Sequence, residues 1–184
     1  MPSVINRGVL AVLFLACGAC ARFENPLVAE EGPQFDEGLA GHWYAESPDG
    51  RFEMLIERKG DEGRILATEI ETGKEPTTDE LNLITARIGQ QTFASVASVD
   101  ENSNWVLFRY ELATPDRLIL YQDEDRVWSD AMRDKLIPGS DQTGKVRNST
   151  VTASSEELRA FVLGYGSVIF RDQPAAELRR LPAN

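Results

Sequence analysis

The clearest hydrophobic pattern in the chain is an alternation that runs from Trp105 to Leu112. Val106, Phe108, Tyr110 and Leu112 fall on one face of an extended segment, and Arg109 and Glu111 fall on the other face. Further short apolar segments, separated by turn residues, lie at 52–58, 64–72, 81–88, 92–99 and 117–121. These segments predict a series of antiparallel hairpins.

Strand-like residues continue near the C-terminus, at 146–153 and 176–181. About eight short strands with short connections favour a mainly β fold. We predict an antiparallel meander that closes into a small barrel or a sandwich, because closure removes the exposed edges that promote aggregation. No internal repeat is present.

Two segments in the C-terminal half have a helical period instead. Apolar residues form one stripe within residues 125–136, which end before Pro138-Gly139. The second helix is expected to begin at a capping box, Ser154 with Glu157, and to end near Gly164 and Gly166. Its apolar residues recur with helical spacing at Leu158, Phe161, Val162 and Tyr165.

Composition supports one globular domain and excludes one class of partner. The chain has 184 residues, 42% of them hydrophobic, which is enough for a core. Its net charge of -11 argues against a basic patch for nucleic acid. The same acidity suits solubility near a membrane or binding to a basic partner.

The N-terminus has the features of an export signal. A short segment containing Arg7 precedes an apolar run of nine residues, 8–16, which is too short to span a bilayer as a helix. The run ends in Phe14-Leu15-Ala16-Cys17 and resembles the lipobox of bacterial lipoproteins. The resemblance implies that residues 1–16 are a signal peptide, that diacylglycerol is attached to the cysteine thiol, and that the new N-terminal amine is then acylated.

Cys17 is the predicted lipidation site, and Cys20 is the alternative because Cys-Gly-Ala also precedes it. The chain contains 2 cysteines, so the domain is expected to fold without a disulfide. Gly18 or Ala21 follows the lipidated cysteine, where the family's inner-membrane proteins commonly have aspartate. The resemblance therefore implies an outer-membrane lipoprotein facing the periplasm. Residues 17–40 are predicted to be a flexible tether and residues 41–184 a single β-rich domain.

The segment Gly41-x-Trp43-Tyr44 resembles the opening motif of lipocalins, in which the tryptophan begins the first barrel strand and plugs one end. By this resemblance, Trp43 is a candidate ligand-binding residue in a carrier of an apolar ligand. The arginine that packs on the tryptophan in that family corresponds here to Arg147, Arg179 or Arg180.

No residues form a convincing catalytic, cofactor or metal site. His42 is the only histidine, and the mature domain has neither a further histidine nor paired cysteines to bind zinc with it. We therefore expect a non-enzymatic cell-envelope lipoprotein whose β domain binds a protein partner or scaffolds an assembly. The alternatives are a lipocalin-like carrier and an acidic inhibitor of a basic hydrolase; a hydrolase is a further possibility.

Overall fold

The computed structural model describes residues 21–48, 50–99, 104–142, 148–170 and 172–182. Most of these residues belong to β-strands. The strands are β1 (Arg22–Phe23), β2 (Gly41–Ser47), β3 (Gly50–Lys59), β4 (Glu62–Glu71), β5 (Thr77–Ile88), β6 (Gln91–Ser98), β7 (Val106–Thr114), β8 (Arg117–Gln122), β9 (Gly139–Gln142), β10 (Asn148–Val151) and β11 (Ala176–Arg180). The helices are α1 (Asp125–Arg133) and α2 (Ser155–Ile169), and a 3-10 turn occupies Glu37–Leu39.

Eight strands close into an antiparallel barrel in the order β11-β2-β3-β4-β5-β6-β7-β8. Strands β2 to β8 follow one another along the chain. Strand β11 then returns after both helices and pairs with β8 and β2. The predicted fold class is confirmed: the protein is mainly β, with a closed eight-stranded barrel and two helices in its C-terminal half.

We call the barrel end that carries the β3–β4, β5–β6 and β7–β8 turns the lower end. The upper end carries the β2–β3, β4–β5 and β6–β7 connections. Gly60 and Gly89, in two of the lower turns, have φ values of 69° and 62°, which glycine adopts without strain. The lower end is closed by a buried aromatic side chain, Trp43, whereas the upper end carries several carboxylates.

The barrel interior is filled by apolar side chains that alternate along the strands. The face of β7 predicted from the sequence points inward, with Phe108 and Tyr110 buried and Val106 and Leu112 partly buried against the same core. The buried members of this core include Trp43, Phe52, Met54, Leu83, Phe108, Tyr110, Leu118 and Leu178. Each strand thus buries its inward face in this core, which stabilises the closed barrel.

A second hydrophobic core lies outside the barrel, against β5, β6 and β7. It is covered by α1, α2 and a small sheet of order β1-β10-β9. Trp128 of α1 is fully buried at its centre, with its ring 4.9 Å from that of Phe23 and 5.2 Å from that of Phe161. These aromatic contacts join β1, α1 and α2 into one layer.

Residues 21–40, which the sequence led us to expect as part of a flexible tether, are packed on the domain in the structure. We call this segment the strap. Phe23, Leu27 and Leu39 are each 1–2% exposed. Gln34 accepts a 2.9 Å hydrogen bond through its carbonyl from the amide of Thr85. The strap's apolar residues follow no regular period because they fit an irregular surface, so they did not predict packing.

Helix α2 is longer than predicted. It continues through Gly164 and Gly166 to Ile169, which is fully buried in the second core. A Cβ atom on Gly166 would lie 2.9 Å from the side-chain oxygen of Gln91, so this glycine allows close packing against the barrel. Burial of the helix face outweighs the low helix propensity of two glycines.

The capping box of α2 is present as predicted, and it provides a stability test. The Ser154 hydroxyl accepts a hydrogen bond from the Glu157 amide (3.3 Å), and the Glu157 carboxylate accepts one from the Ser154 amide (2.8 Å). Replacing Ser154 with alanine should lower the free energy of unfolding by about 0.5–2 kcal/mol in a urea titration. Ser167→Ala, on the exposed side of the same helix, is the control. Equal stability of the two variants would show that the cap contributes nothing.

Candidate functional site

The lower end of the barrel is plugged by Trp43. Its side chain is fully buried, and its indole nitrogen donates a 2.8 Å hydrogen bond to the carbonyl of Leu39 in the 3-10 turn. The guanidinium of Arg180 lies 4.2 Å from the centre of the Trp43 ring. Of the three arginines considered from the sequence, the structure places Arg180 on the tryptophan. Arg179 is exposed on the same strand, and Arg147 lies outside the described residues.

Arg180 also ties three chain segments together at this end. Its guanidinium donates hydrogen bonds to the carbonyls of Gly38 (2.7 Å) and Pro115 (2.8 Å), and to that of Ala40. The cation therefore stacks on the plug and satisfies the carbonyls around it. Arg180 is a structural clamp that closes the lower end.

The filled interior leaves a cavity of about 50 Å³ lined by apolar side chains. Engineered apolar cavities that take up benzene measure about 150 Å³. The lining comes mainly from the middle strands and includes Phe52, Met54, Ile65, Val96 and Phe108. The space inside the closed barrel is therefore too small for a fatty acyl chain.

A separate polar groove of about 220 Å³ lies between the strap and the lower end of β5, β6 and β7. Tyr110 lines both the groove and the interior cavity. Its hydroxyl donates a 2.8 Å hydrogen bond to Asp36, whose other carboxylate oxygen accepts one from the Gly38 amide. Burial, followed by the contact with Asp36, raises the pKa of Tyr110, so the phenol remains a neutral donor. This hydrogen bond holds the strap against the barrel.

The upper end of the barrel carries a group of carboxylates that we call the acidic rim. It consists of Glu46, Glu69, Glu71, Glu75 and Asp79. The pairing of Gly50 with Glu71 places the β2–β3 and β4–β5 connections side by side. Arg51 lies 3.9 Å from Glu46, and Lys74 forms an ion pair with Glu71. Five carboxylates and these two cations give this rim a net charge of -3.

The acidic rim is not evident from the sequence, since its members are distributed from residue 46 to residue 79. The pairings of β2 with β3, of β3 with β4 and of β4 with β5 bring them together. The number of acidic residues at the ends of neighbouring predicted hairpins is the sequence signal that could have indicated the rim. The rim can attract a cationic surface over a distance set by ionic screening.

Helix α2 exposes apolar side chains on the outside of the molecule. Leu163 is 68% exposed, Val168 is 59% exposed and Tyr165 is 44% exposed. Tyr165, expected on the buried stripe, instead stacks on Phe161 at the edge of the second core, with ring centres 4.8 Å apart. The other predicted stripe residues, Leu158, Phe161 and Val162, are buried.

His42 lies on β2, with its side chain 41% exposed, and its ring nitrogen is 2.9 Å from the Glu53 carboxylate. Within the described residues, no three potential metal ligands come together, and none of the helices has the length and apolar character needed to cross a bilayer. Cys17 and Cys20, the predicted lipidation sites, lie outside the described residues.

Comparison with protein families, characterised proteins and solved structures finds no match to this chain.

Proposed function

We propose that this protein is a lipid-anchored, non-enzymatic lipoprotein of the bacterial cell envelope that acts by binding a partner at its surface. The lipobox-like segment ending at Cys17 supports the anchor. The observation that carries the surface-binding role is the filled barrel, whose remaining cavity of about 50 Å³ has no room for a lipid-sized ligand. We place the protein at the outer membrane, facing the periplasm.

The packing at the barrel's lower end also bears on the choice between scaffold and carrier. Trp43 and Arg180 occupy the positions that the lipocalin resemblance implied, but they close the end tightly. Trp43 is 0% exposed, and Phe52 above it is 1% exposed. A carrier needs a cavity that buries most of its ligand. These side chains instead form a packed core, whose density favours a rigid scaffold.

A ligand-binding experiment tests this proposal. Protein purified from membranes and then delipidated should not bind a fluorescent fatty acid at micromolar concentration. Native mass spectrometry of the protein before delipidation should show no stoichiometric lipid other than its own acyl chains. The exposed control Leu163→Ala should behave like the unaltered protein. Tight binding of the fluorescent fatty acid that Trp43→Ala weakens, or one co-purified lipid per chain, would refute the scaffold hypothesis and favour the lipocalin-like carrier.

A second candidate function, inhibition of a basic hydrolase, is favoured by the acidic rim. A rim of excess negative charge at one end of a rigid barrel is complementary to a cationic enzyme surface. Such charges accelerate association and fix orientation more than they add affinity. The inhibitor hypothesis therefore requires a partner whose binding to the protein weakens as salt is added.

Lysozyme is a suitable basic probe for this candidate. In isothermal titration calorimetry at low salt, Glu75→Gln/Asp79→Asn should weaken its binding roughly 2- to 30-fold, at about 0.2–1 kcal/mol per exposed charge pair. Asp61→Asn/Glu62→Gln removes two charges from the lower end and serves as the matched control. Equal affinities of the two double variants, or no binding by the unaltered protein, would rule out the rim as an inhibitory surface for this enzyme.

A further inference from the structure

We infer that the strap fixes the lipidated N-terminus against the domain, so that the barrel lies directly on the bilayer with the face around Arg22 and β10 toward the lipid. This inference rests on the proposed lipid anchor at Cys17 or Cys20. The inference concerns the orientation of the domain relative to the bilayer and its distance from the lipid headgroups.

The chain is held to the domain from its first described residue onward. Ala21 is fully buried, and Phe23 exchanges backbone hydrogen bonds of 3.0 and 2.8 Å with Trp105. The Glu24 amide donates to the carbonyl of Val151 at 3.0 Å. These contacts place β1 between the start of β7 and strand β10. A chain paired on both sides cannot act as a free tether.

Further contacts continue along the strap and prevent it from peeling away. The side-chain amide of Asn25 donates to the Ala153 carbonyl at 3.0 Å, and the Leu27 amide donates to the Ser95 hydroxyl at 2.9 Å. The hydroxyl of Ser155 donates to the carbonyl of Pro26 at 2.7 Å. The strap therefore contributes to the fold along its length, and its separation would expose Phe23 and Leu27 at the corresponding hydrophobic cost.

The remaining reach between anchor and domain is short. Cys20 directly precedes Ala21, and Cys17 is four residues before it. At about 3.3–3.6 Å per extended residue, the lipidated cysteine lies within about 15 Å of Ala21. A free twenty-residue tether would reach about 65–70 Å. The acyl chains enter the bilayer at the cysteine itself, so the domain surface around Ala21 is held at the headgroups.

The topology defines one side of the domain near the bilayer and an opposite side far from it. Arg22 is exposed and pairs with Thr150, which pairs in turn with Ser140 of β9, so Ser140 lies about 10 Å from Arg22 across the sheet. Asp61 lies in the β3–β4 turn at the lower end, whereas β1 joins β7 at the upper end. Strand β3 is four strands from β7 in the closed barrel. Asp61 is therefore at the opposite corner of the domain.

Energy transfer to labelled lipid distinguishes these positions. The mature lipoprotein carries a donor dye at Ser140→Cys or Asp61→Cys, with the non-lipidated native cysteine replaced by serine. It is reconstituted in phosphatidylethanolamine–phosphatidylglycerol vesicles that contain a headgroup acceptor. We expect several-fold greater transfer from position 140 than from position 61. Inserting twenty Gly and Ser residues between Cys20 and Ala21 should remove this difference.

Equal transfer from the two positions, unchanged by the insertion, would overturn the inference and show that the domain tumbles on a free tether. Greater transfer from position 61 would show that the opposite face meets the lipid, and would also overturn it. Failure of the protein to bind vesicles would instead refute the proposed lipid anchor, and the inference with it. Circular dichroism of each labelled variant verifies that the β fold is retained.

Discussion

Replacing Phe161 with alanine should lower the free energy of unfolding by about 3–5 kcal/mol. Phe161 is 7% exposed and lies on α2 between Trp128 and Tyr165, with ring-centre distances of 5.2 and 4.8 Å. Truncation removes the transfer energy of a phenyl ring and leaves a cavity in the second core. The neighbouring elements cannot collapse into it, because α1 is held on β9 and β10 and α2 is held against β5 of the barrel.

A urea titration followed by circular dichroism measures this loss, with Leu163→Ala as the matched control. Leu163 is two residues along the same helix and 68% exposed, so its truncation should change stability by no more than about 0.5 kcal/mol. If Phe161→Ala were as stable as Leu163→Ala, the second core would not hold α2 in place. The helix would then be free to leave the barrel and bind elsewhere.

The barrel was predictable because its signals are local. The alternation from Val106 to Leu112 fixes the inward face of β7, and the glycines at the lower-end turns mark where neighbouring strands reverse. The number of hairpins and the need to remove free edges favour a small barrel or a sandwich, and the structure shows the closed barrel. The capping box at Ser154 was equally local, since both partners lie within one helical turn.

The strap was not predictable because its burial depends on distant residues. Phe23 and Leu27 pack where Trp105, Ser95 and the second core provide a surface, and this surface exists only after the barrel has closed. The strap also contains proline, glycine and acids, which are typical of flexible linkers. Composition therefore favoured a tether although tertiary contacts hold the segment to the barrel.

The site was predictable only at one residue. The Gly-x-Trp resemblance placed Trp43 at the barrel end, but the choice of Arg180 over Arg179 depends on which face of β11 points inward, which is set by its register with β2 and β8. The acidic rim depends similarly on the pairing of β2, β3, β4 and β5 with one another. Such positions follow from long-range pairing, which a single strand pattern does not specify.

The variant Cys17→Ser/Cys20→Ser should lose membrane attachment completely. These are the 2 cysteines of the chain, so the double variant has no thiol to receive diacylglycerol. Stable anchoring of a lipoprotein requires two or more acyl chains. Without a thiol none of these chains is attached, so the whole membrane attachment should be lost. Membrane fractionation measures the loss of attachment, and mass spectrometry of the N-terminal peptide measures the loss of lipidation.

The single variants identify the modified residue. If Cys17 is lipidated, Cys17→Ser should abolish acylation or divert it to Cys20, and Cys20→Ser should leave the lipidated peptide beginning at Cys17. The opposite pattern would assign Cys20. Because the strap begins at Ala21, either assignment keeps the anchor within about 15 Å of the domain. A double-serine variant that still partitions with membranes would refute the lipoprotein proposal, since no acyl chain could then explain its attachment.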